Sequence, residues 1–174
     1  MKLVIMTKST FFVEEDKILT TLFDEGMDNL HLFKPGSTPL YAERLLSLIP
    51  EDYYRKITVH DHFYLKNEYD LAGIHLDSAD TEIPNNYKGK IGRTCTDIQM
   101  LKEMKKKSSC VFLKNIFDCI EFSEEKKTFT QQQLEDAADK GLIDRHVYAL
   151  GGMSLDNIRM AKTLGFGGVV ICGD

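Results

Sequence analysis

The sequence has no excess of positive charge: 27 aspartates and glutamates outnumber 22 lysines and arginines, leaving a formal net charge of −5. A nucleic-acid grip needs a basic stripe to neutralise phosphates, so that partner is argued against. The one basic run, Lys105-Lys106-Lys107, sits at the end of a predicted helix, where it complements the macrodipole. There is no apolar run long enough for a signal peptide or a membrane span. The first such run, Met1 to Met6, gives way at once to Thr7-Lys8-Ser9-Thr10. No membrane partner is therefore expected, and a cytoplasmic protein is the default. Cysteine is sparse and unpaired in sequence. Cys95, Cys110, Cys119 and Cys172 lie far apart without C-x-x-C spacing and read as small core residues in a reducing cell. No H-E-x-x-H pair or cysteine cluster points to zinc, and no Gly-x-Ser-x-Gly elbow points to a serine nucleophile.

What is present is the composition of an ordinary soluble globular protein, 43% apolar and 28% charged, with 174 residues that are most simply one domain spanning 1–174. The stretch from Tyr148 to Asp174 organises the rest. An apolar run ends in Gly151-Gly152, Ser154 offers a helix cap, a helix-period segment stops at Gly165, and a second apolar run ends in Gly173. This is a βαβ unit with glycine at both strand exits. Such exits let backbone amides approach an anion, so Gly151, Gly152, Cys172 and Gly173 form a candidate phosphate grip. That the glycines only turn corners is the equal alternative.

Eight strand-like runs follow one another, at 2–7, 29–34, 56–61, 72–77, 90–95, 110–115, 146–152 and 168–173. Between them lie helical stripes. Ile18, Leu19, Leu22 and Phe23 share one face ahead of Gly26, and Thr38-Pro39 opens a helix carrying Ala42, Leu45, Leu46 and Ile49 before Pro50. A short helical stretch covers 63–68. Asp97 caps a helix with Ile98, Leu101 and Met104, and Thr130 and Gln133 have capping-box spacing ahead of Leu134, Ala137 and Ala138. The polar segment 78–88 reads as a loop, and the charged segment 118–129 is long for a βα loop, which favours a functional one. The alternation predicts a compact α/β fold, a (β/α)8 TIM barrel with shortened or missing helices after strands four and eight. An open doubly wound sheet is the runner-up. The sequence stops at Asp174, directly after the last strand. Either it is truncated there, or a neighbour, as in a homo-oligomer, covers that apolar face.

In such a barrel chemistry gathers at the carboxyl ends of the strands. The polar residues there are Thr7 and Lys8, His31 and Lys34, His60 and Asp61, His75 with Asp77 and Asp80, Arg93 with Thr94, and Lys114 with Asn115. Two separated acids, Asp61 and Asp80, facing phosphate turns suit a magnesium-bound phosphate ester. The plainer alternative makes Asp61 a helix cap and Asp80 a turn residue. His31 and His75 alternate with apolar neighbours, and hydrogen-bonded interior residues are the commoner outcome for that pattern.

Taken together these strand-end residues resemble the thiamine phosphate synthases and their thiazole tautomerase relatives. Leu30-His-Leu-Phe-Lys-Pro-Gly36 is similar to that family's Leu-Gln-Leu-Arg-x-Lys-Gly, and His60-Asp61 stands where it has Asn-Asp. Ala72-Gly-Ile-His-Leu-Asp-Ser-Ala-Asp80 resembles its Asp-Gly-Val-His-Leu-Gly-Gln-x-Asp, and Ile91-Gly-Arg-Thr94 its Ile-Gly-x-Ser. Asn115-Ile-Phe117, Ala149-Leu-Gly-Gly-Met153 and Gly165-Phe-Gly-Gly-Val-Val-Ile-Cys172 continue the series in order to the last strand.

The resemblance implies an enzyme that couples hydroxymethylpyrimidine diphosphate to thiazole phosphate with release of pyrophosphate. It implies Asp61, Lys34 and Thr94 at the chemistry, and Mg2+ on Asp61 and Asp80. His31, His60, Asn115, Gly151, Gly152, Cys172 and Gly173 would lie against the phosphorylated precursors. The sequence departs from the family where Phe33 replaces an arginine and Pro35 a lysine, and where Asp118-Cys-Ile-Glu-Phe122 replaces a Thr-x-Thr-Lys pyrophosphate loop. Two further readings stand beside the synthase. One is a non-catalytic or regulatory barrel that binds thiazole phosphate or thiamine phosphate. The other is a tautomerase-like enzyme with His31 or His60 as its base, because Asn115 replaces the histidine of that branch.

Overall fold

Glycine, proline and capping side chains set the element boundaries in the computed structural model, which describes residues 1–114, 116, 129–152 and 154–173. The strands are β1 Lys2–Met6, β2 Leu30–Leu32, β3 Ile57–Val59, β4 Gly73–Leu76, β5 Lys90–Cys95, β6 Cys110–Lys114, β7 Val147–Leu150 and β8 Gly168–Cys172. All are parallel and close into a barrel in chain order, the (β/α)8 architecture that the alternation of strand and helix signals predicts. The described helices are α1 Glu15–Asp24, α2 Pro39–Leu48, α3 Leu65–Glu68, α4 Leu101–Lys106, α5 Gln131–Asp139 and α6 Leu155–Leu164. None is long and apolar enough to cross a membrane. The chain forms two compact units, Ile5–Lys90 with Cys172–Asp174, and Ile91–Ile171 with Met1–Val4.

In the first unit α1 buries Glu15, Leu19 and Phe23. Ile18, expected on the same stripe, is 50% exposed, because the buried face is centred on the i, i+4 pair Leu19 and Phe23 and a neighbouring position points about 100° away. Gly26 closes the helix in the left-handed region at φ 107°, and the Met27 amide donates back to Leu22. Pro39 sits at the first position of α2, and Ala42, Leu45, Leu46 and Ile49 are buried as the spacing predicts. A 3-10 segment, Glu51–Lys56, follows Pro50 without a periodic signal to announce it. After β4 the described residues 77–89 hold turns and no helix, as expected for that connection.

The second unit is built around Val111, Leu113, Val147, Ala149 and Val169 from the strands, packed with Leu101, Leu134, Ala137, Ala161 and Leu164 from the helices. Thr130 and Gln133 make both bonds of the capping box at α5. Ser154 accepts from the Asn157 amide at α6, and Gly165 ends that helix at φ 91°. The charged segment 118–128 lies outside the described residues.

Candidate functional site

Side-chain alternation in three neighbouring strands of the first unit explains its most distinctive feature. Registers pair Leu30 with Ile57, His31 with Thr58 and Leu32 with Val59, and then Thr58 with Gly73 and Val59 with Ile74. Leu30, Leu32, Ile57, Val59 and Ile74 therefore share one face of the sheet, while His31, His75 and the position of His60 fall on the other. All three histidines are buried. The His60 and His75 rings stack with centroids 4.4 Å apart, and the His31 ring stands edge-on to both, at 5.1 and 5.3 Å.

Hydrogen bonds tie this cluster to a carboxylate. His31 Nδ1 and His60 Nε2 are 2.8 Å apart, and His60 Nδ1 lies 2.9 Å from each Asp77 carboxylate oxygen. Only acceptors face His60 Nδ1 at Asp77, so that nitrogen carries a hydrogen and donates. The hydrogen between His60 Nε2 and His31 Nδ1 then belongs to one ring or the other. Burial first, and the neighbouring charge of His60 second, hold His31 well below its ordinary value of 6.5. His75 is lowered in the same way by burial, and then by His60 and His31. At neutral pH both rings are neutral imidazoles with a lone pair to offer.

The other site residues of this unit divide sharply. The Lys34 ammonium is buried, 2.7 Å from Glu15 Oε2 and 2.8 Å from the Thr10 carbonyl, with the Phe11 ring centroid 4.7 Å away. Its charge is thus already engaged by the loop and helix after β1. Phe33, standing where the family has an arginine, meets the His60 ring edge-on at 5.4 Å, and its backbone is clamped on both sides by the Thr7 hydroxyl.

Asp61 follows β3, just before His62, which adopts an uncommon positive φ of 51°. No side chain caps α3, so Asp61 is not the helix cap that the plainer reading made it. Its Oδ2 is buried and, among the described residues, has no hydrogen-bond partner. A carboxylate oxygen in that state fits a hard cation such as magnesium, which takes one or two carboxylates and leaves its other positions to water and phosphate. Asp80 is exposed, and its amide donates to the Ser78 hydroxyl in a turn. The Gly173 amide donates to the Met6 carbonyl, and a Cβ there would come within 2.9 Å of the Lys8 nitrogen, so glycine is needed for this close approach to the chain after β1.

In the second unit Gly151 and Gly152 both have positive φ, 110° and 59°, at the turn from β7 to α6, and Asn157 donates to the Gly152 carbonyl. Thr94 lies in β5 and is half-buried. Cys172, which belongs to the first unit, ends β8 and is also half-buried. Asn115 lies outside the described residues. The sequence reading missed two partners. Asp77 was one strand-end acid among several, and only its place two residues beyond His75 hinted that it shares that histidine's surroundings. Glu15 carried no signal, because an acid in the first turn of a helix is ordinary.

No protein-family model and no curated protein matches the chain. Among solved structures, a thiamine phosphate pyrophosphorylase from Bacteroides thetaiotaomicron is 45% identical, with 100% of this chain and 84% of that one covered and a TM-score of 0.89. A thiamine phosphate pyrophosphorylase from Pyrococcus furiosus is 17% identical, with 99% and 88% covered and a TM-score of 0.76. A 3-hexulose-6-phosphate synthase is 14% identical, with 99% and 90% covered and a TM-score of 0.61. The last two show the shared fold alone.

Proposed function

The chain belongs to the thiamine phosphate pyrophosphorylase family, and from that premise we propose that it is a transferase coupling hydroxymethylpyrimidine diphosphate to thiazole phosphate with release of pyrophosphate. The observation that carries the reading is the buried Oδ2 of Asp61 at the exit of β3, which has no partner among the described residues. Asp61 would hold Mg2+, with Asp80 as the second carboxylate. When bound, magnesium supplies the positive charge that stabilises a departing pyrophosphate.

The chain's own residues account for the rest. Phe33 presents an apolar edge beside His60, a surface suited to a flat heteroaromatic ring and to excluding water from it. The turn at Gly173 would receive the thiazole phosphate. The ammonium of Lys34, drawn into its pair with Glu15, acts by holding the loop after β1 rather than by touching phosphate. A second reading is proton transfer on the thiazole phosphate itself. It is favoured by the contact between His60 Nδ1 and Asp77, which leaves Nε2, held 2.8 Å from His31 Nδ1, as the nitrogen that would take the proton once it turns from His31.

The test is to incubate the purified protein with both precursors and magnesium and to follow thiamine phosphate and pyrophosphate. Asp61→Ala is expected to lower the rate by about 100-fold or more. A rate untouched by that substitution removes the synthase reading. No product together with saturable binding of thiazole phosphate selects the binding barrel instead.

A further inference from the structure

The three buried histidines form a group that the proposed synthase reaction does not use; only the alternative proton-transfer reading calls on His60. His31, His60 and His75 each offer a ring nitrogen, and these three atoms lie within 4.8 Å of one another. Among the described residues this is the one group of three or more metal-capable side chains, and it contains neither Asp61 nor Asp80. We propose that His31, His60 and His75 bind a borderline divalent cation of the zinc type, with Asp77 orienting His60 from behind.

Four observations support this. The first is donor chemistry. Three imidazoles with no carboxylate among them suit Zn2+ or Co2+ and are poor ligands for Mg2+, which prefers oxygen. The second is distance. Nitrogens around a tetrahedral zinc at 2.0–2.1 Å stand about 3.4 Å apart. The His31–His60 pair at 2.8 Å and the outer limit of 4.8 Å bracket that value, and binding would open the His60–His75 stack and the His31–His60 contact so that the three lone pairs meet at one centre. The third is the second shell. A histidine that ligates through one nitrogen characteristically donates the other ring N–H to a carboxylate, which is the relation between His60 Nδ1 and Asp77. The fourth is access. The Asp77 side chain is 41% exposed, so solvent reaches the edge of a cluster whose rings are themselves buried.

Coordination at His31 Nδ1 and His60 Nε2 replaces the hydrogen that now lies between them. If that hydrogen is on His31, the ring shifts to its Nε2–H tautomer and no proton is lost. If it is on His60, one proton leaves to solvent. Interior layers of such barrels are dominated by branched aliphatic side chains, and three neighbouring strands here place imidazoles instead. The inference stands apart from the proposed synthase activity, because it needs nitrogen ligands on one sheet face and not the Asp61 carboxylate.

The experiment uses the full chain, dialysed against a chelator and then titrated with Co2+, read by its visible absorption and by metal content after gel filtration. One cobalt per chain is expected, displaced by Zn2+ and left in place by excess Mg2+. His31→Gln is expected to weaken cobalt binding by at least about 100-fold, and Asp77→Asn, at a partly exposed position that keeps all three ligands, by about 10- to 100-fold. Failure to bind cobalt, displacement by magnesium, or binding unchanged in Asp77→Asn and in a folded His31→Gln would each overturn the proposal. Asp61→Ala separates the two ideas: it is expected to lower pyrophosphate release by about 100-fold or more while the cobalt spectrum survives.

Discussion

His31 and His75 are costly residues to bury, and the cost depends on pH. In the folded chain both take up a proton only well below the ordinary value of 6.5, whereas in the unfolded chain they do so near it. Below about pH 6.5 the unfolded state therefore binds more protons. Stability is fully present above that pH and falls as the solution is acidified, by about 1.4 kcal/mol per pH unit for each ring. Urea denaturation of the metal-free protein at a series of pH values is expected to show this loss, with a shallower slope in His31→Gln; equal slopes would mean that His31 is not the responsible ring. The alternation of His31 and His75 with apolar neighbours made their interior placement legible in the sequence. Their meeting with His60 was not, because the three lie on separate strands and only register brings them together. Lys34 teaches the opposite lesson. The family resemblance placed it at the chemistry, and the tertiary structure gives its charge to Glu15, a residue with no motif around it.

At the scale of elements, capping chemistry was the most legible signal. Thr130 and Gln133 form the reciprocal pair that their spacing announces, with the Gln133 amide 3.2 Å from the Thr130 hydroxyl and the Thr130 amide 2.9 Å from Gln133 Oε1. Thr130→Ala is expected to cost about 1 kcal/mol in urea denaturation, with Thr130→Ser close to the parent. Pro39, Ser154, Gly26 and Gly165 mark helix ends for reasons equally local. Strand lengths were overestimated, with β2 reduced to Leu30–Leu32 and β3 to Ile57–Val59. Apolar character extends through the residues that lead into and out of a strand, while ladder bonds stop where the chain turns away from its neighbour. The exposure of Ile18 has a similar origin: hydrophobicity shows that α1 has a buried face, and packing decides where that face is centred.

At the scale of the whole molecule, closure of the strand ring rests on close backbone approach. The Gly167 amide donates to the Val147 carbonyl and its own carbonyl accepts from the Lys2 amide, so one residue joins the entry of β8 to strands on both sides. A Cβ at Gly167 would lie 1.8 Å from the Arg145 carbonyl oxygen, and at Gly168 2.8 Å from that of Lys2. Gly167→Ala is expected to destabilise the protein by about 3 kcal/mol or more, read from the denaturation midpoint, because the obstructing atom is backbone and has little freedom to move. By itself the sequence determined the alternation of strand and helix, the helix ends and the family resemblance, since each depends on residues within a few positions of one another or on motifs in order. Only the tertiary structure decided that Asp61 keeps a buried oxygen without a partner among the described residues, that Lys34 is spent on Glu15, and that three histidines share one face of the sheet. Those relations depend on strand register and chain packing across tens of residues, and no local pattern encodes them.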